Sequence, residues 1–140
     1  MTLVTTSRRS TPAIRAIAKD LAFATGARYL SRGKHGLREI ASEHDLFVVL
    51  EQQRSEILMT FYRDGEPCLV RVIKKHETGV REGMLTRGIR TSDHELGTVL
   101  DDGTCQVEFC DNADELILAF DGPQRRCMRL VLERGIIDEA

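Results

Sequence analysis

A chain of 140 residues with 41% hydrophobic and 30% charged side chains suits one folded domain, or two half-size lobes on a shared core, and excludes a disordered chain. No run approaches the ~18 consecutive apolar residues of a spanning helix, and the start, MTLVTTSRRSTP, has no apolar h-region, so neither membrane nor secretion is expected and the cytoplasm is the expected location. The net charge of −2 conceals a split: residues 1–91 hold 16 Lys and Arg against 10 Asp and Glu, whereas residues 92–140 hold 4 against 12, an asymmetry that points to a nucleic-acid partner.

The short β-branched run at 2–6 (TLVTT) suits a strand. Thr11 and Pro12 then form a helix start, with Thr as N-cap and Pro at the first helical position. From there Ala13, Ile14, Ile17, Ala18, Leu21 and Ala22 recur at helical spacing, while Arg15 and Lys19, four apart, share another face. Gly26 supplies the stop, because glycine takes the left-handed conformation that ends a helix without steric cost. A second strand is expected at 27–31, a basic loop at 32–36, and a short second helix on Leu37, Ile40 and Ala41 that ends near His44.

The continuous apolar run at 45–51 (DLFVVLE) predicts a strand covered on both faces. SEILMTFYR and EPCLVRVIKKH flank Asp64-Gly65, a hairpin signal. The order β-α-β-α-β-β-β predicts an α/β fold: a mixed sheet, partly parallel, with helices packed on it. Residues 77–92 hold three glycines and little periodicity and are expected to connect a basic half, 1–76, to a smaller, acidic and mainly β half, 93–140. In that second half DHELGTVL suits one or two helical turns, and CQVEF, ELILAF and RRCMRLVLERGII suit strands.

Thr5, Thr6, Ser7, Arg8, Arg9, Ser10 and Thr11 concentrate hydroxyls and guanidinium groups between a strand and a helix N-terminus. Unpaired N–H groups and the helix dipole favour anions there, and Arg adds bidentate donors shaped for phosphate. A second basic loop, Arg32-Gly33-Lys34-His35, follows the next strand. Loops after parallel strands leave by the same sheet edge, so the two loops, with Arg15 or Lys19 beside the first, are expected to form one phosphate-binding ridge. Lys74 and Lys75, with His76, are expected at the end of the fifth strand, where they extend that surface or simply solubilise it. Arg125, Arg126 and Arg129 are the basic cluster of the acidic half, and pairing with Asp121 or Glu133 is expected.

Only 5% of the residues are aromatic and none is Trp, which argues against base stacking of the kind seen on RRM or OB surfaces. Salt-dependent binding to the backbone is expected instead. Catalysis is not expected: His35, His44, His76 and His94 are scattered, and neither a GxxxxGK[ST] loop nor a GxGxxG turn occurs. No metal or other cofactor is expected. Cys105 and Cys110 fall in one run read as a strand, and an odd separation sends their side chains to opposite faces. Cys68, Cys105, Cys110 and Cys127 are expected to be buried, reduced thiols. Acidic residues from Asp93 to Asp121 are expected to form a solvated or protein-binding face.

LVTTSRRST, AKDLA, RYLSRGK and LFVVLEQQRSEILMTFYRDGEPCLVRVIK, in that order, resemble archaeal members of the Brix domain family over about residues 2–76. The resemblance implies ribosome biogenesis, since eukaryotic relatives act in rRNA processing and subunit assembly, some within the U3 small nucleolar ribonucleoprotein. It also implies a fold similar to the anticodon-binding domain of class II aminoacyl-tRNA synthetases, with two related α/β halves, and it places Ser7, Arg8, Arg9, Arg32, Gly33 and Lys34 at the family's motif positions. The second half departs from the family in being short and acidic. The expected partner is rRNA, joined by ribosomal or other assembly proteins at the acidic half. A protein–protein adaptor and a tRNA-binding anticodon-like module are the competing readings.

Overall fold

The computed structural model describes residues 1–31, 36–112 and 114–136. In chain order these form β1 (Leu3–Thr6), α1 (Pro12–Thr25), β2 (Arg28–Leu30), α2 (Leu37–Glu43), β3 (Leu46–Gln53), β4 (Glu56–Arg63), β5 (Glu66–Val80), β6 (Ile89–Thr91), α3 (His94–Leu100), β7 (Val107–Phe109), β8 (Leu116–Asp121) and β9 (Arg126–Arg134). The architecture is α/β. One mixed sheet has the order β2-β1-β3-β4-β5-β9-β8-β6-β7, parallel at its two ends, where β2, β1 and β3 run together and β6 pairs β7, and antiparallel between.

Local chemistry explains the first half. The Thr11 side chain accepts from the Ile14 N–H at 3.3 Å, Pro12 opens α1, and Gly26 closes it at φ 76°. Asp64 and Gly65, at φ 52° and 83°, make the β4–β5 turn. Alternate residues of β1 and β3 enter different cores. Val4, Val48 and Leu50 join the main core, shared with α1 and α3, whereas Leu3, Phe47 and Val49 pack with Ile40 of α2. The run 45–51 is continuously apolar because helices cover both faces of β3.

The polar stretch after Ile73 does not leave the sheet. β5 runs on to Val80 and pairs β9 from Arg71, opposite Arg134, to Val80, opposite Arg126. The stretch read as a connector, 77–92, therefore begins as β5 and contains β6, and only Arg81–Gly88 and Ser92 are irregular. A register shift between Ile73 and Lys75 explains the misreading: a bulge breaks the two-residue alternation on which a strand is recognised. Cys105 and Cys110 likewise flank β7 rather than lie in it. Cys105 is buried, Cys127 is partly buried, and Cys68 and Cys110 are exposed, which corrects the expectation of four buried thiols. Burial pushes the Cys105 thiol above its ordinary pKa.

Two ion pairs tie distant segments together. Asp20, 2% exposed, receives Arg126 in a fork, Nε to Oδ2 at 3.1 Å and Nη2 to Oδ1 at 2.9 Å. These hydrogen bonds raise the Arg126 guanidinium above its ordinary pKa. The fork binds α1 to the start of β9. Gly122 lies against it, and a Cβ there would stand 2.6 Å from Asp20 Oδ2. Gly122→Ala is therefore expected to cost about 1–3 kcal/mol by overpacking, read as a lower urea midpoint at unchanged slope; an unchanged midpoint would show that the fork yields freely.

The second pair joins β5 to α3. Arg71 is 3% exposed and Asp93 1%. Arg71 Nε meets Asp93 Oδ2 at 2.6 Å, and its Nη2 meets Asp93 Oδ1 at 3.2 Å and Glu95 Oε1 at 3.3 Å. Asp93 Oδ1 also accepts from the Leu96 N–H at 3.2 Å, capping α3. Asp121, 4% exposed, takes the Thr86 N–H at 3.0 Å and Arg90 at 3.5 Å. Asp93 and Asp121 thus do not belong to a solvated acidic face, because each is the buried partner of an arginine. Glu95, Glu108, Asp111, Asp114 and Glu115 are exposed.

Candidate nucleic-acid interface

The site is built where β1 leaves the sheet. Thr5 pairs with Leu30 in the parallel β1–β2 register, and its Oγ1 donates to the Leu30 carbonyl at 2.6 Å. Ser7 donates its N–H to the Leu50 carbonyl of β3 at 3.0 Å. The two threonines are buried and serve the strand end, while Ser7 is half-buried and Arg8 and Arg9 are exposed in the turn that follows. Neither arginine has an ion pair among the described residues, so both guanidinium groups keep their full donor sets. Ser10 closes the turn: its carbonyl accepts from Arg15 Nη1 at 2.6 Å, which fixes Arg15 beside the N-terminus of α1.

Arg32, Gly33, Lys34 and His35 lie outside the described residues. What is described is the strand that delivers them. β2 runs parallel to β1, with Leu30 opposite Thr5, so Ser31 and Ser7 follow strand ends on one edge of the sheet. Lys19 is exposed on α1 with its Nζ 5.6 Å from the centre of the Tyr29 ring, a cation–π distance.

Lys74 and Lys75 are placed differently from the expectation. Both lie within β5, which continues past them, and three strand spacings, about 14 Å, separate β5 from β1. Lys74 is already paired, with Glu133 at 3.3 Å and Glu56 at 4.0 Å, whereas Lys75 is exposed and has no ion pair among the described residues. The basic cluster of the second half also finds unexpected partners. Arg126 takes Asp20, Arg129 takes Glu115 at 3.7 Å, and Arg125 donates to the Arg81 carbonyl at 3.3 Å, while Asp121 pairs with Arg90 and Glu133 with Lys74. Partners so remote in sequence leave no local mark.

Arg54, in the β3–β4 turn at φ 58°, is exposed just past the end of β3, which runs parallel to β1. The described histidines serve different elements. His44 Nδ1 shares a hydrogen bond with Thr2 Oγ1 at 2.7 Å, His94 stacks on Phe109 at 5.1 Å, and His76 lies exposed on β5. Among the described residues no three His, Cys, Asp or Glu side chains gather in a metal-ligand cluster, and no helix is long and apolar enough to cross a membrane.

No protein-family model matches the sequence, and no curated protein matches it. Solved structures do match. The crystal structure of Mil, an archaeal Imp4-like protein, superposes with a TM-score of 0.60 and 18% identity over 96% of this chain and 100% of that one. At that identity the likeness is one of fold, and the chain shares the fold of an archaeal Imp4-like protein over nearly its whole length.

Proposed function

We propose that this protein is a non-catalytic RNA-binding factor in ribosome biogenesis, acting in the cytoplasm in rRNA processing or subunit assembly, and that it holds rRNA through backbone phosphates. The observation that carries the reading is the exposed Arg8–Arg9 turn, free of carboxylate partners among the described residues, at the sheet edge by which β2 also leaves. Ser7, Ser10, Arg15 and Lys19 flank it, and Arg32, Gly33, Lys34 and His35 follow β2. The shared fold supports the biological setting, since Imp4 is a Brix-domain ribosome biogenesis protein.

Phosphate recognition of this kind releases counterions, so salt is the test. With about six phosphate contacts, rRNA affinity measured by filter binding is expected to fall about a thousandfold between 50 and 200 mM salt. Absent binding, or binding indifferent to salt, would sink the reading. A second reading, an adaptor for a basic ribosomal protein, is favoured by the exposed carboxylates of Glu108, Asp111, Asp114 and Glu115; it would show as protein capture that survives without RNA.

A further inference from the structure

Along the exposed side of α1 runs a groove of about 300 Å³ lined by Pro12, Arg15, Ala16, Lys19, Asp20 and Arg126. It holds three cations and one carboxylate, and that carboxylate is buried and taken up by Arg126. Neither Arg15 nor Lys19 has an ion pair among the described residues, so the groove carries an excess of positive charge. At one end lies the turn of Arg8 and Arg9, at the N-terminus of α1. At the other lies the β8–β9 turn, where Arg125 immediately precedes Arg126.

Residues 92–140 contain four arginines, and their partners set one apart. Arg129 and Arg134 are held by exposed glutamates, and Arg126 by Asp20. Arg125 has no acidic partner among the described residues; it is exposed and gives one N–H to a backbone carbonyl. The turn is anchored by Arg81, whose Nη1 donates to the Gly122 carbonyl at 3.1 Å. Among the described residues, the acidic half therefore presents a cation without a carboxylate partner at the place where it meets the basic half.

We infer that the RNA backbone held at Arg8 and Arg9 continues along α1, through the groove of Arg15, Lys19 and Arg126, and ends on Arg125, so that the C-terminal half contributes to RNA binding through the β8–β9 turn. The inference rests on the RNA-binding reading above. It makes the Asp20–Arg126 fork more than a structural tie, because the fork fixes one half's contact relative to the other's and so presets the path of the strand.

The test uses the whole chain and an RNA hairpin with a stem of about 16 base pairs, the span over which backbone-reading folds engage duplex RNA. Arg125→Gln and Lys19→Gln each remove a charge while keeping a polar stem. Each is expected to weaken binding about fivefold near 0.1 M salt and to reduce the salt slope by about one. Arg129→Gln is the control, since strand alternation sends Arg129 to the face opposite Met128 and Leu130, which pack in the core shared with α1; it is expected to leave affinity unchanged. If Arg8→Glu with Arg9→Glu abolishes binding while Arg125→Gln changes neither affinity nor slope, the path stops short of the second half and the inference is overturned, with the function intact. Equal losses from Arg125→Gln and Arg129→Gln would reduce the effect to net charge and also overturn it. Were the Arg8 and Arg9 reversal itself without effect, both readings would fall together.

Discussion

Reversing Arg8 and Arg9 together to glutamate is expected to lower rRNA affinity by about a hundredfold or more near 0.15 M salt and to leave the thermal unfolding curve in place. Each substitution removes a bidentate phosphate donor and substitutes a charge that repels phosphate, so the loss exceeds two deleted contacts. The fold should not notice. Both side chains are exposed and have no ion pair among the described residues, and exposed substitutions of this kind stay within about 0.5 kcal/mol. Filter binding across a salt series and circular dichroism on the same sample check the two halves of the expectation. Wild-type affinity in the double variant would favour the adaptor reading.

The largest effect on stability is expected from Asp93→Ala. Arg71 would then keep its charge at 3% exposure with only Glu95 among the described residues, at 60% exposure, as an acidic partner, and breaking a buried pair from one side costs about 3–5 kcal/mol. The lost N-cap of α3 adds about 1 kcal/mol. Together these approach the whole stability of a domain this size, so the single variant is expected to unfold at low urea. Glu95→Gln is the gentler probe. Its carboxylate is mostly exposed, and its removal is expected to cost less than about 1 kcal/mol. If Asp93→Ala melted within 1 kcal/mol of the wild type, Arg71 would have to reach water by local opening.

What could be read from the sequence was whatever is decided locally. Thr11, Pro12 and Gly26 mark α1 because capping depends on neighbours within one turn, and Asp64-Gly65 marks its hairpin because the turn needs a left-handed pair. β3 was legible because burial on both faces leaves an unbroken apolar run. The far half of β5 was not, since residues from Lys74 to Val80 are mostly polar and the bulge at Lys74 inverts their alternation. Nor were the partners of Asp20 and Arg71 legible, because a carboxylate's arginine is chosen by the tertiary fold, not by its neighbours. The same limit governs the site. The turn of Arg8 and Arg9 is visible as a strand, a basic turn and an N-cap in succession, whereas the role of the turn at Arg125 emerges only once β9 is laid against β5 and α1.

The seam between β5 and β9 also governs how the molecule can be made. Until β9 emerges during synthesis, the Arg71–Val80 stretch of β5 lacks the partner that satisfies its backbone there, a template for any other nascent chain nearby. Closing it demands a pairing between segments far apart in sequence, which is slow for reasons of loop entropy. Nature's usual guard against such an exposed rim is charge, and here Lys74, Lys75, His76 and Glu77 stand along that stretch. The polar character that hid the strand from sequence reading is thus the same character that guards an open strand edge.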